Sequence, residues 1–494
     1  MPIAPHDADA VAACDQAHDP RPGGGDRGSG ALAGALRAFL DSLGASDASG
    51  APQAEPSRPL RLCVALSGGR DSVVLLHALS RLVASTRRAL ALSALHVNHG
   101  ISADADRWQA FCADFCRACA VPLAVVRVEV PRGSGEGLEA AARRVRHAAF
   151  ARCDAHWLAL AHHRDDQAET VLLNLLRGSG LAGAAGMRAR RAQGDGPLLV
   201  RPLLDVPRAL LDDYARAHAL AWIEDESNAD ARFRRNYLRH EVMPRLRAVF
   251  PQAERSLARA SAHFAEGAQL LDELAAIDRA ALANASGRLC LAGFNALAAE
   301  KPARARNLLR FVWLAAGFRA PDTRWIDEAL RQLASAAAPV QICVSTVDGA
   351  LHVYRGEIHV AAHAGVPDVP RRWSGESELP WAGGRLRFVG VRGAGLARRA
   401  LLAGEVRIAA RQGGERLQPD ARRPRRSLRN LLQEAALPPW ERRRLPLLSI
   451  DGTLAWVGAI GVDARFACAA DEDGVLPVWE SDGAPPVGFV SPPV

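Results

Sequence analysis

Leu32, Leu36, Phe39, Leu40 and Leu43 recur at helical spacing, which predicts an amphipathic helix over 31–43. From residue 60 the pattern changes to short apolar runs alternating with helical periods. Strands are predicted at 60–66, 89–97, 123–130 and 157–161, and helices at 71–84, 104–120, 137–153 and 165–176. Strands that alternate with helices build a parallel sheet covered on both faces, so the fold class is α/β. After about residue 251 the periodicity becomes mainly helical, over 253–283 and 301–336, with short strands at 340–363. From about residue 368 strand-rich pieces surround one helix at 427–435. The expected organisation is therefore a 1–59 extension, disordered or linker-like apart from its one helix, and a 60–250 domain. A mainly helical 251–367 domain and a small α+β domain at 368–494 follow.

Composition narrows the class. The chain has 494 residues, 49% of them hydrophobic, which is enough for more than one core. No segment approaches the ~18 uninterrupted apolar residues of a membrane span. The first nine residues lack the basic-then-apolar order of a signal peptide, so a cytoplasmic protein without membrane contact is expected. The net charge of +8 favours polyanionic partners. Coding bias also contributes to it, because Lys301 is the only lysine. Nine scattered cysteines do not read as a disulfide framework. Cys112, Cys116 and Cys119 share one helical face, and the last two make a CxxC pair. A buried helix face accounts for them better than a metal site, since no second ligand pair at metal spacing follows.

The segment Ser67-Gly68-Gly69-Arg70-Asp71-Ser72 joins a predicted strand to a predicted helix. Two glycines allow close backbone approach to an anion. Successive N–H groups and the helix start supply partial positive charge, and the two serines add hydroxyls. Asp71 is an acid beside a phosphate site, a placement that suits Mg²⁺ bridging a carboxylate to phosphate oxygens. The loop is not a Walker A motif, for it has no lysine.

A second constellation, His162-His163-Arg164-Asp165-Asp166-Gln167-Ala168-Glu169, begins at the end of the strand at 157–161. Asp165 and Glu169 are four residues apart and Asp166 and Glu169 three, and either spacing stacks carboxylates on one helix face. Adjacent like charges call for a cation between them, a metal or a cationic substrate. Acids also favour a helix start for purely structural reasons.

The loop resembles that of the N-type ATP pyrophosphatases, the PP-loop superfamily, which cleave ATP between the α and β phosphates and adenylate a substrate. Further segments narrow the resemblance to the tRNA(Ile)-lysidine synthases. They are His96-Val97-Asn98-His99-Gly100, the histidine–carboxylate segment, and the run from Arg177 to Met187. Arg201-Pro202-Leu203-Leu204, the 222–228 segment and Arg235-Asn236-Tyr237-Leu238-Arg239 follow in the same order. The stretch at 428–448 resembles that family's C-terminal domain, with Arg429-Asn430 where the family often has paired lysines.

The resemblance implies a PP-loop ATP pyrophosphatase domain, with ATP and Mg²⁺ as cofactors and L-lysine and a tRNA(Ile) with a CAU anticodon as partners. It leaves a homodimer open. It implies ATP held by Ser67, Gly68, Gly69, Arg70, Asp71 and Ser72, with Asp71 also on the metal. Asp71, Asp166, Glu169 and Arg143 would be catalytic, and His162, His163, Asp165 and Arg235 would meet substrate. The arginines at 422–429 would dock tRNA. The closest competitor is a PP-loop tRNA thiolase. Members of that group place cysteines just before the helix that here spans 139–150, and this chain has none there.

Overall fold

The computed structural model describes residues 26–43, 59–86, 89–131, 137–194, 196–224, 232–285, 287–335, 342–363, 365 and 369–481. The tail before residue 26, nearly all of the 45–59 linker and residues 225–228 of the 222–228 segment lie outside the described residues. The chain divides into two compact units, residues 1–270 and 271–494.

The first unit opens with α1 (Asp26–Ser42), followed by β1 (Leu60–Ala65), α2 (Arg70–Ser85), β2 (Leu90–Asn98), α3 (Ala105–Ala118), β3 (Leu123–Arg127) and α4 (Leu138–Ala151). Next come β4 (Trp157–Ala159), α5 (Arg164–Leu176), α6 (Leu181–Ala184), β5 (Arg190–Arg191), β6 (Leu198–Val200) and α7 (Arg208–Ala217). One helical run then joins α8 (Arg234–Tyr237), a π-helical turn at Leu238–Val242 and α9 (Met243–Val249). The long α10 (Ala253–Leu282) contains the division between the units.

The sheet order is β3-β2-β1-β4-β6-β5. All neighbours are parallel except β5, which pairs antiparallel with β6 at the edge. Alternation along the strands sorts side chains to two faces. Leu62, Val64, Trp157, Ala159 and Val200 join one core with α2. Cys63, Leu95, Leu158 and Leu199 join a second core with Phe150 of α4. The chain runs from β1 outward to β3, then returns to place β4 on the other side of β1. Loops leaving the carboxyl ends of β1 and β4 therefore diverge across a crevice, the usual ligand position in such sheets.

Two features differ from the sequence expectation, and the buried cysteine face of α3 agrees with it. The first helix begins at Asp26, and its Leu32, Leu36 and Leu40 are buried in the same core as β1 and α2. The helix expected inside a 1–59 extension is thus a layer of the first unit. β3 ends at Arg127 rather than near residue 130, as befits a half-exposed edge strand. Cys112 and Cys116 face inward from α3 into the core, where burial pushes both thiols up to about 12.

The second unit holds two cores. One packs α11 (Leu291–Glu300), α12 (Pro302–Ala315) and α13 (Thr323–Ala334) on an antiparallel sheet. That sheet is β7 (Leu289–Cys290), β8 (Cys343–Ser345), β9 (Gly349–Tyr354) and β10 (Glu357–Ala362), in the order β7-β10-β9-β8. The other core lies among small sheets between residues 371 and 481, with short helices at Arg398–Ala403, Leu428–Glu434 and Pro439–Arg442. Among the described residues no helix is long and apolar enough to cross a membrane.

Candidate active site

The loop after β1 is tied by its own serines. The Ser67 N–H donates to Ser72 Oγ (3.2 Å), the Gly69 N–H donates to Ser67 Oγ (3.3 Å), and Ser72 Oγ donates to the Gly69 carbonyl (2.8 Å). Gly68 has φ +85°, and a Cβ there would stand 2.5 Å from Ile223 Cδ1. Ile223 also donates its N–H to the Gly68 carbonyl (2.9 Å). Both the backbone sign and the close approach require glycine. His96 braces the preceding turn through Nδ1 against the Leu66 carbonyl (2.9 Å), and burial holds its ring neutral.

Asp71 opens α2 and faces two cations. Arg70 contacts its Oδ1 through Nη2 (2.6 Å), and His163 Nε2 lies 3.5 Å from its Oδ2. Burial alone would raise the Asp71 carboxyl, but the His163 hydrogen bond and charge, with Arg70, hold it well below the usual carboxylate range. Arg70 is itself anchored by Asp212 of α7. Among the described residues no three metal-ligating side chains converge. Asp71 fits a divalent cation as a single hard-oxygen ligand, a common arrangement for Mg²⁺ that also takes phosphate oxygens and water.

His163 caps α5. Its N–H donates to Asp166 Oδ2 (3.1 Å), and its Nδ1 accepts from the Asp166 N–H in a long contact of 3.4 Å. Nε2 then points at Asp71 and, at 3.4 Å, at Asp166 Oδ2. Burial lowers the pKa of His163, but hydrogen bonding to Asp71 and the charges of Asp166, Asp71 and Asp165 outweigh it and raise it. Nδ1 also lies 3.9 Å from Asp165 Oδ2.

Asp166 and Glu169 come together, and the cation between them is the protein's own. Arg239 donates to Glu169 Oε1 (2.7 Å) and Oε2 (2.9 Å) and to Asp166 Oδ1 (2.7 Å). Arg235 reaches the same pair at 3.2 and 3.1 Å. The two acids are only 7% and 4% exposed. Asp165, at the same helix start, turns elsewhere: it accepts the Arg208 N–H at the start of α7 (3.0 Å) and pairs with Arg247 (3.3 Å). His162 accepts at Nδ1 from Arg201 Nε (3.2 Å), and burial with nearby arginines pushes its pKa down to about 3, so it is a neutral ring. Arg143 is exposed on α4, and its charge contributes to the low values of both His162 and Arg201.

Reading the sequence singly missed several members. Asp212 and Arg247 are joined to the site only by folding, and Arg201, singled out above as part of a segment but given no role, reaches His162. Gln167 is buried and locks the 177–187 segment, donating to the Ala185 and Met187 carbonyls (3.3 and 3.1 Å) and accepting the Met187 N–H (2.8 Å). A Cβ at Gly186 would stand 2.8 Å from the Gln167 side chain, which explains one glycine of that segment.

Three family models match the chain: a PP-loop domain at 48–246, a TilS substrate-binding domain at 294–359 and a TilS substrate C-terminal domain at 406–479. Curated relatives match most of its length. The tRNA(Ile)-lysidine synthase of Azoarcus sp. is 46% identical over 85% of this chain and 91% of its own. That of Aromatoleum aromaticum is 46% identical over 85% and 97% respectively. The chain belongs to the tRNA(Ile)-lysidine synthase family. Family membership accounts for the parallel-sheet unit followed by two further domains, and for an ATP-using ligase. Among solved structures, a U34-tRNA thiolase of Methanococcus maripaludis is 16% identical, with TM-score 0.41 over 49% of this chain and 80% of its own.

Proposed function

We propose that the protein joins free L-lysine to C2 of the wobble cytidine in a tRNA(Ile) with a CAU anticodon, at the expense of ATP. The observation that carries this reading is the convergence of the Ser67–Ser72 loop, Asp71 and the His163–Asp166–Glu169 segment on one crevice of a chain of this family.

In the proposed reaction the cytidine C2 oxygen attacks the α-phosphorus and pyrophosphate leaves. The lysine amine then attacks C2 and AMP leaves. The loop amides and serine hydroxyls hold the phosphates. The exposed side of Asp71 would hold Mg²⁺, which neutralises phosphate charge when bound. His163 fixes the Asp71 carboxylate in its charged form. Asp166 and Glu169 present a carboxylate pair for the lysine ammonium, which must share them with Arg235 and Arg239. Arg143 adds positive charge on the approach beside His162. The second unit supplies tRNA contacts, with exposed Arg422 and Arg429 as phosphate ligands. Arg425 and Arg426 are engaged internally by Asp463 and Glu434. A sulfur-transfer reading is disfavoured, because Cys112 and Cys116 are core residues at 0% and 2% exposure.

The test is transfer of radiolabelled lysine to a transcript of that tRNA, with ATP and Mg²⁺. Label in the tRNA with release of AMP and pyrophosphate is expected. Failure with lysine, together with incorporation from a sulfur donor, overturns the reading.

A further inference from the structure

Residues 232–239, at the start of the helical run of α8, carry two groups of opposite character. Arg235 and Arg239, four residues apart, point at α5 and grip Asp166 and Glu169. Phe233 and Tyr237 are also four apart but offset by two positions. Phe233 is the N-cap of α8, with extended backbone, and Tyr237 is its last residue, just before the π-helical turn. Neither joins the grip on the acids, and both are exposed, Phe233 at 43% and Tyr237 at 49%. Arg232 and Arg234 flank them and are exposed as well. Two exposed aromatics among arginines do not serve a core, since burying such rings is what normally stabilises a fold.

We propose that the Phe233–Tyr237 face stacks unpaired bases of the RNA loop that flank the reacting nucleotide. This rests on the reading that the substrate is an RNA loop. Bases in a loop are unstacked and offer π-faces to aromatic side chains, with arginine beside them for the phosphates. Charge complementarity and continuity with the acid cluster select this occupant over a protein surface. Phe233 and Tyr237 stand two residues to either side of Arg235, which holds Asp166 and Glu169. Bases stacked on them would lie beside the acid cluster, and stacking would position the loop without touching the chemistry.

The experiment uses the full chain with an anticodon stem-loop RNA and, as control, a blunt duplex RNA of equal charge. The variants are Phe233→Ala, Tyr237→Ala, the double substitution, Tyr237→Phe and Tyr237→Leu. Each lost aromatic should weaken stem-loop binding by about tenfold or more. Duplex affinity and ATP affinity should hold, Tyr237→Phe should retain binding, and Tyr237→Leu should not. The KM for tRNA should rise more than kcat falls. Unchanged stem-loop binding, or equal loss with the duplex, overturns the proposal. So does a shift from dimer to monomer in sedimentation with RNA binding intact, which would make the face a contact between copies. If the unaltered chain transfers no lysine, the functional reading fails first. If it transfers lysine while the variants bind normally, only this proposal fails.

Discussion

Replacing Arg239 with Met should loosen α5 specifically, by an amount the geometry sets. The substitution removes three charge-assisted hydrogen bonds of 2.7–2.9 Å from Asp166 and Glu169. Both acids stay buried, at 7% and 4% exposure. Stranding a buried ion partner costs about 3–5 kcal/mol. Arg239 is itself a quarter exposed and Arg235 remains on the same acids, so the low end, about 3 kcal/mol, applies. At about 1.4 kcal/mol per factor of ten, the amides of α5 should exchange roughly a hundredfold faster in native-state hydrogen exchange. Those of β1 and β2 should change much less. Arg239→Lys keeps the charge but loses the planar fork, and should fall between the two. If α5 protection in Arg239→Met changes by less than about fivefold, the acids do not depend on this guanidinium. The clamp as described would then be wrong.

Gly68→Ala introduces a Cβ 2.5 Å from Ile223 Cδ1 at φ +85°, and should weaken ATP binding in calorimetry and lower the melting temperature. Normal ATP affinity would remove the loop from the phosphate site. The His163–Asp71 pair has a pH signature with a defined sign. Its contribution is fully present between the ordinary values of 3.8 and 6.5. It is lost on the acid side as pH falls through the depressed Asp71 value, and on the alkaline side as pH rises through the elevated His163 value. The melting-temperature gap between wild type and His163→Gln should therefore be larger at pH 6 than at pH 9, and a gap that grows with pH contradicts the charge assignment. Substituting Arg422 and Arg429 together by Ala should reduce the slope of log tRNA affinity against log salt by about two. An unchanged slope would place the phosphate contacts elsewhere.

Local signals made half of this site legible. The strand–loop–helix context of 67–72 and the acids at 165, 166 and 169 are features of adjacent residues, and the structure keeps them where the pattern put them. Spacing could not choose between Asp165 and Asp166, because i,i+4 and i,i+3 both stack on Glu169. The choice came from α7, whose first N–H takes Asp165 away. The partners that set the charge balance are remote. Asp212 is 142 residues from Arg70, and Arg239 is 70 from Glu169. The stripe Leu32–Leu36–Leu40 shows that α1 packs, but not against what, and so the helix was separated from the unit whose core it completes. The two-residue edge strand β5 is too short to leave a period.

The acid pair poses a sharper question than its sequence suggested. Asp166 and Glu169 are already balanced by Arg235 and Arg239, so a substrate ammonium enters only by displacing or sharing a guanidinium. Arg235 is the candidate to yield. Its side chain is 35% exposed against 25% for Arg239, and it makes single contacts of 3.1 and 3.2 Å where Arg239 grips Glu169 with two shorter ones. Removing the weaker competitor frees one acid without stranding both. Arg235→Gln should therefore lower the KM for free lysine, even as kcat falls, whereas Arg239→Gln should disturb α5 and raise it. Steady-state kinetics with saturating tRNA and ATP separate the cases. A KM for lysine that rises in Arg235→Gln would mean that the arginine helps to build the lysine site rather than occupying it.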